Sequence, residues 1–347
     1  MTTANPLILL TGGSGVLGNA LLDHLADRPI IALTHHKPIA DTPTHACVRG
    51  DITAPWLGLH PDTYRDLARR VDVIVHTAGS VNFALAAKHL HTANVRGTGH
   101  VLRFAEDADA HLVYVSTAFI ARADTFADIV TPNGVPTMAA YVHSKTTAEA
   151  TVRESGLPAT IARVSALIGD STTGRLARIQ AFHHMIGMGI HGMIPFLPGT
   201  PESRIDLIPQ DVAAAALACL ADTRPGGTHW ITAGPAALPL PRLIDVVYEV
   251  ATNQPNRAAR AVGVHDPLFR TIIADLDSCQ QMIDMMLAHA RPGVPPNTLQ
   301  RLVGLMSTYT GDPLPTSIPD LTPAMVERAL TATCVYLATL PLSTWQH

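Results

Sequence analysis

Short, nearly continuous apolar runs alternate with amphipathic stretches along the first half of the chain. The runs are "PLILL" (6–10), "PIIAL" (29–33), "VDVIVHTAG" (71–79), "HLVYVSTAFI" (111–120) and "PATIARVSALIG" (158–169). Their length and β-branched content predict strands buried on both faces, the pattern of a parallel sheet. Between them, "NALLDHLA" (19–26) puts Ala20, Leu21, Leu22 and Leu25 on one helical face. "HLHTANVRGTGHVLRFAEDA" (89–108) and "AAYVHSKTTAEATVRES" (139–155) read as further helices, the latter after a loop with Pro132, Gly134 and Pro136. Strand and helix alternate to about residue 170, which predicts an α/β, doubly wound parallel sheet with helices on both faces.

Beyond 170 the rhythm breaks. Residues 171–205 are punctuated by Gly and Pro; "RIDLIPQDVAAAALACLAD" (204–222) gives a strand entry and a helix, and "GGTHWITAG" (226–234) one more strand. From about 236 the pattern is mostly helical, with loops at "RPGVPPN" (291–297) and "PLPTSIPDLTP" (313–323). The expected organisation is a nucleotide-binding core over 1–170, completed by about 205–235. A smaller, mostly helical substrate lobe would be built from 171–204 and 236–347.

Composition narrows the function classes. The 347 residues are 47% hydrophobic and 15% charged, with a formal net charge of −4. This is the make-up of a well-buried globular chain, and it gives no footprint for nucleic acid. There is no apolar run long enough to span a bilayer, so membrane insertion is not expected. The start, "MTTANPLILLTGG", lacks a basic segment ahead of a long apolar one and reads as a first strand rather than a secretion signal. Four scattered cysteines (Cys47, Cys219, Cys279, Cys334) without CxxC spacing fit reduced thiols and a cytoplasmic location.

The chemistry starts at "TGGSGVLG" (11–18), which lies between the first strand and the first helix. Gly12, Gly15 and Gly18 supply a tight turn, a close backbone approach to a pyrophosphate and close helix packing. Thr11, Ser14, Val16 and Leu17 complete that loop and the helix start, whose partial positive charge faces the phosphates. The second strand ends in "THHK" rather than in an acid that would bind a ribose 2′-hydroxyl. His35, His36 and Lys37 suit a 2′-phosphate, so NADPH is the expected cofactor. Asp51 and Ile52, in "GDI", fall where the adenine would lie.

In "YVHSK" (141–145) a tyrosine precedes a lysine by one helical turn. A carbonyl that accepts hydride needs a proton donor, and a nearby ammonium lowers a phenol's pKa by favouring the phenolate. A hydroxyl at the end of the "VYVSTA" strand, Thr117 or Ser116, could orient the carbonyl. The histidines of "AFHHMIGMGIHGM" (His183, His184, His191) have no carboxylate or cysteine at ligand spacing, and no metal site is expected. The apolar series Ile272, Ile273, Leu276, Met282, Ile283, Met285 and Met286 reads as a helix that could line an acyl pocket or fill a core. Arg175 and Arg178 could meet phosphopantetheine or coenzyme A phosphates, or simply face solvent.

"TGGSGVLG", "VHTAG", "NVRGT", "VSTA" and "YVHSK" occur in one order, and over about residues 6–235 the chain resembles the extended short-chain dehydrogenase/reductases, whose core is a Rossmann-type fold. The resemblance implies a catalytic set of Thr117, Tyr141 and Lys145 supported by Asn94. It also implies cofactor contacts from Ala78, Gly79, Ser80, Ser116, Lys145, Arg163, Val164 and Ser165. "SVNF", "SKTTAE", "GDSTTG" and "IDLIPQDVAAAAL" look like the thioester reductase and fatty acyl-CoA reductase branch. Ala86-Ala87 and Val164 stand where that branch often has Pro-Tyr and proline. The branch implies hydride transfer to an acyl thioester, giving an aldehyde or alcohol. The substrate would arrive on coenzyme A or on a separate carrier protein, and the enzyme would be a monomer or homodimer. A reductase or epimerase acting on a free carbonyl or sugar nucleotide is the first alternative; a non-catalytic nucleotide-binding protein is the second.

Overall fold

The computed structural model describes residues 5–82, 85–123, 138–253, 270–275, 277–279, 281–282, 310–341 and 344. They fall into two compact units. The first holds the described residues up to Ala123 with Ala139–Val164 and Gln210–Ile231; the second holds Met138, Ser165–Pro209 and the described residues from Thr232 onward.

The first unit is a seven-stranded parallel sheet. Its strands are β1 (Ile8–Thr11), β2 (Ile30–Thr34), β3 (His45–Arg49), β4 (Val73–His76), β5 (His111–Thr117), β6 (Ala159–Val164) and β11 (Gly227–Ile231). Their order across the sheet is β11-β6-β5-β4-β1-β2-β3. Pairing in register places Leu9 beside Ile31 and Ile74, and Ile74 beside Leu112. These residues share one face with Leu33, Tyr114 and Ile161. That face is covered by Leu67 of α2 (Pro61–Ala68), Val101, Leu102 and Phe104 of α4 (Gly97–Ala108), and Ala148 and Val152 of α5 (Met138–Glu154). The alternate residues Ile8, Leu10, Ile30, Ala32, Val73 and Val75 are buried too, because side chains alternate across a strand. Helices α1 (Val16–His24) and α7 (Gln210–Thr223) pack against each other, α7 also lying along β4, β5 and β6. The buried alanines Ala213, Ala214 and Ala218 let α7 approach closely.

Three boundaries differ from the sequence reading. Strand β5 stops at Thr117, where the Thr117 hydroxyl accepts from the Phe119 amide and opens a 3₁₀ turn, Ala118–Arg122. The run 158–169 is two strands: beyond β6 the chain leaves the sheet, and β7 (Ala166–Ile168) pairs with β10 (Leu207–Pro209) in the second unit. Strand β3, which the apolar pattern did not show, is an edge strand whose hydrogen bonding to β2 sets its conformation.

The second unit packs α9 (Pro323–Ala338) against α6 (Ala181–Ile190) and α8 (Leu240–Asn253), with a small sheet in which β9 (Arg204–Ile205) lies between β12 (Leu238–Pro239) and β14 (Thr310–Gly311). The "GDSTTG" stretch is a turn seated on α9. Asp170 Oδ1 accepts from the amides of Thr172 and Thr173 and from the Thr173 hydroxyl. Gly174 has φ +68°, and a Cβ there would strike the Ala332 carbonyl, so glycine is required. The Gly169 amide donates to Thr333 Oγ1 at 3.0 Å. His183 is equally structural: Nδ1 accepts from the Gln180 amide at 3.0 Å, Nε2 lies 2.8 Å from the Leu167 carbonyl, and burial pulls its pKa down to about 4. Among the described residues no group of three or more His, Cys, Asp or Glu is placed to hold a metal ion.

The helix expected from Ile272 onward is corrected for its first residues: Ile272–Ala274 is a strand, β13, paired in parallel with β8 (Phe196–Pro198), while residues 277–279 and 281–282, Met282 among them, are helical. Ile272 is exposed, while Met282 packs on Phe196 and Cys279. Leu276, Ile283, Met285 and Met286 lie outside the described residues, as do Pro132, Gly134, Pro136 and the 291–297 loop. An apolar cavity of the second unit is lined instead by Phe182, Met185, Ile186, Leu243, Ile244 and Val247, among others, with an empty volume near 380 Å³ that includes its open mouth. Thr271 also borders it, its hydroxyl donated to the Ile194 carbonyl. Arg175 and Arg178 are both exposed.

Asp206 is buried, and its carboxylate accepts from the amides of Ala233 (2.8 Å) and Gly234 (2.7 Å). Removing such a charged acceptor strands two amides. Asp206→Ala is expected to lower unfolding stability by about 3 kcal/mol, read as an earlier urea midpoint at an unchanged slope; a midpoint equal to wild type would contradict this role.

Candidate active site

The strand order reverses between β1 and β4, and their C-terminal ends leave a crevice at the switch point of an open α/β sheet. The glycine loop lies there. Gly12 has φ +78°, and a Cβ on it would come within 2.6 Å of both the Ala78 amide and Thr77 Oγ1. The Gly15 amide donates to the Gly12 carbonyl at 2.9 Å, and a Cβ on Gly18 would collide with that same carbonyl. Gly15 caps α1 without a side-chain bond, and the first turn of the helix holds no acid. Exposed Ser14 sits over this turn, while Val16 and Leu17 are buried in it. These features fit a pyrophosphate: the turn is built of glycines, and the helix end it leads into is positive and carries no acid.

At the far edge, the His35 and His36 rings lie against each other, tilted by 32° with centroids 3.7 Å apart, and His35 Nε2 lies 3.7 Å from Asp51 Oδ2. Burial opposes the Asp51 charge. Hydrogen bonds from the Thr53 hydroxyl and amide, with the neighbouring His35 and His36, outweigh it and hold the carboxyl below its usual range. The Ile52 carbonyl is tied to His100 Nδ1 at 2.8 Å, and Lys37 is exposed beside the two histidines.

The expected catalytic residues come together on three elements. Asn94 sits in a π-helical turn, His91–Arg96, inserted between α3 (Ala87–Leu90) and α4. Such turns often mark functional positions because they re-aim side chains. Asn94 is buried; its Oδ1 accepts from the Ser80 amide (2.7 Å), and its Nδ2 donates to the Ser80 carbonyl (3.1 Å) and to Ser144 Oγ (2.9 Å). Gly79 leaves room for this, since a Cβ there would lie 2.9 Å from Asn94 Oδ1. The Ser144 hydroxyl donates to the Tyr141 carbonyl at 2.7 Å. Asn94 thus ties the β4 turn to the helix that carries Tyr141 and Lys145.

The electrostatics correct one expectation. Burial pushes the Tyr141 phenol up to about 12, and the Thr117 hydroxyl bonded to it, rather than Lys145, is what opposes the rise. The Lys145 ammonium donates to the Val115 carbonyl at 2.8 Å and lies 4.8 Å above the Tyr114 ring. Burial lowers its pKa to about 8, against the pull of Glu149. Arg163 binds Glu149 at two points, Nε to Oε1 at 3.0 Å and Nη2 to Oε2 at 2.8 Å, and stacks on Trp230 with the guanidinium carbon 4.8 Å from the ring centroid. Its side chain is therefore engaged in an ion pair that steadies α5 on β6. Ser116 is buried at the end of β5, and Val164 and Ser165 are buried where the chain leaves the sheet.

Residue reasoning missed His76 and Glu149 as parts of this site. Both lay inside quoted motifs, "VHTAG" and "SKTTAE", but a buried histidine and a buried acid declare their partners only once distant strands are placed. Gly12→Ala is expected to weaken dinucleotide binding at least about tenfold, since the new Cβ must push the β4 turn away. Fluorescence titration with NADPH and NADH checks this; binding unchanged for both would exclude the loop as the pyrophosphate site.

The family model described as Male sterility protein, an NAD-binding family, matches residues 32–217, over half of the chain. A glycine betaine reductase of Emericella nidulans is 31% identical over 256 residues, covering 62% of this chain but 20% of that protein. A linear gramicidin synthase of Brevibacillus parabrevis is 32% identical over 189 residues, 51% of this chain and 4% of its own length. The chain thus spans a fifth or less of these relatives. Among solved structures, the terminal R domain from the myxalamid PKS-NRPS biosynthetic pathway superposes with a TM-score of 0.70 at 22% identity, covering 97% of this chain and 91% of that one. The chain belongs to the Male sterility protein family, in keeping with the thioester reductase branch of the extended short-chain dehydrogenase/reductases that its motifs resemble.

Proposed function

We propose that the protein is an NADPH-dependent reductase that transfers hydride to an acyl thioester, on coenzyme A or on a carrier protein in trans, with Tyr141 as the acid. The observation that carries this reading is the buried Tyr141 phenol, whose proton burial holds more firmly, on the helix that also bears Lys145 and close to Thr117 at the end of β5. NADPH is favoured over NADH by His35, His36 and Lys37, three donors where an NAD-selective site would carry an acid. Gly12, Gly15 and Gly18 would hold the pyrophosphate, and Asp51 would face the adenine end.

When bound, the nicotinamide supplies hydride to the carbonyl carbon. The residues of the chain handle the oxygen. Tyr141 keeps a proton on its hydroxyl across the working pH range, and Thr117 presents a second hydroxyl beside it. Together they stabilise the developing oxyanion, which Tyr141 then protonates. The hemithioacetal so formed releases the thiol and leaves an aldehyde; a second hydride would give the alcohol. Lys145 adds positive charge beneath the site and would hold the nicotinamide ribose. The apolar cavity of the second unit has the chemistry to take an acyl chain. The names of the relatives support reduction within assembly-line biosynthesis. The free cysteines support a cytoplasmic setting.

The test is to react the protein with NADPH and a panel of acyl-CoA and acyl-pantetheine thioesters, counting oxidised cofactor and released thiol together. One NADPH per thiol is expected for an aldehyde, two for an alcohol. NADPH consumed without thiol would replace the thioester with a carbonyl elsewhere in the substrate. In the same assay kcat/KM, which reports the free enzyme, should fall as pH rises through about 8, where Lys145 loses its proton. Tyr141, still protonated there, should add no limb below pH 10, and a profile flat from pH 7 to 10 would remove Lys145 from the mechanism.

A further inference from the structure

His76, at the end of β4, is fully enclosed and sits between two threonines from distant parts of the chain. Its Nδ1 lies 2.7 Å from Thr11 Oγ1, and its Nε2 lies 3.3 Å from Thr98 Oγ1. The surrounding bonds give this row a direction. The Thr98 hydroxyl donates to the Asn94 carbonyl at 2.6 Å, and a carbonyl can only accept. Thr98 has therefore spent its proton, and His76 must donate to it from Nε2. Nδ1 then carries a lone pair and accepts from the Thr11 hydroxyl. Thr11 Oγ1 in turn accepts from the Ala78 amide at 3.3 Å.

The result is one directed row: Ala78 amide to Thr11, Thr11 to His76, His76 to Thr98, and Thr98 to the carbonyl of Asn94. One end is the amide that lies against Gly12 in the phosphate-binding turn. The other end is the main chain of the π-helical turn whose side chain ties Ser80 to Ser144. Adding a second proton to His76 would set an N–H against the Thr11 proton. Burial and the Lys145 charge both oppose that, holding the ring pKa near 3.

We propose that His76, as its Nε2–H tautomer, is a positioning residue that locks the floor of the glycine loop to the Asn94 turn, so that the two ends of the site are held in register. This rests on the reading that the glycine loop binds a nicotinamide dinucleotide, but not on the identity of the carbonyl substrate. A simple packing role would make the ring replaceable by any side chain of its shape. A relay role makes the far end felt at the near end.

The experiment has two arms that need no acyl substrate. In ¹⁵N-histidine-labelled protein, the signal lost in His76→Phe should show a protonated Nε2 and an unprotonated Nδ1, unchanged between pH 5 and 8. A protonated Nδ1, or titration in that range, overturns the proposal. In the second arm the NADPH dissociation constant is measured for Thr98→Val, which leaves the glycine loop intact. We expect about a three- to tenfold weakening in the wild-type background and none beyond the His76 effect in a His76→Phe background. Equal weakening in both backgrounds, or none in either, would show that His76 only fills space. Should His76→Phe not fold, His76→Asn serves as the second background, its amide being too short to serve Thr11 and Thr98 together. If NADPH binds nowhere on the wild-type chain, the dinucleotide reading fails, while the tautomer arm still decides the row of bonds.

Discussion

Strands β1 and β4 lie side by side although α1, β2, β3 and α2 separate them in sequence, and the crevice at their ends is the constraint on which the site depends. Because the sheet winds one way from β1 and the other way from β4, the loops after these strands diverge and leave room for a ligand. The loops must still touch at their roots. Gly12 meets Ala78 there, with no space for a Cβ, and Thr11 bonds to Thr77 and Ala78. Any larger residue at position 12 would part the strands that hold the row from Thr11 to Asn94.

The interior charge is organised around few groups. Glu149 is taken up by Arg163 and Arg153, which leaves Lys145 with a carbonyl and an aromatic ring as its neighbours. A buried ammonium without a bonded carboxylate is costly, and this one responds by an eased loss of its proton. Tyr141 answers burial in the opposite sense and holds its proton more firmly. Each group thus favours its neutral form for the same reason. In the lysine this brings the charge change near neutrality, and in the tyrosine it keeps the phenol protonated.

Much of the sheet could be read from the sequence because buried parallel strands announce themselves as apolar runs. Strand β3 could not: "HACVR" has no buried periodicity, and its conformation comes from bonding to β2. The end of β6 was also hidden, since "RVSALIG" stays apolar while the chain passes from one unit to the other. At the site, the glycine loop and the pair Tyr141 and Lys145 could be picked out because spacing along one element places them, whereas Asn94 was suggested only by the family resemblance. The role of His76 was not, because its partners Thr11 and Thr98 lie on other elements. The relation between Lys145 and Tyr141 was misjudged from spacing: one helical turn made them neighbours, but the ammonium turned to the Val115 carbonyl. The stretch from Ile272 carried helical-looking apolar spacing, yet pairing with Phe196–Pro198 made its first residues a strand.

The central claim is that the Tyr141 hydroxyl delivers the proton. Single-turnover oxidation of NADPH by Tyr141→Phe, with dissociation constants measured alongside, addresses it most directly. The account predicts NADPH binding within about twofold of wild type and a turnover rate lower by about 10²–10⁴-fold. Normal NADPH binding with an undiminished rate would contradict it and assign the proton to another group.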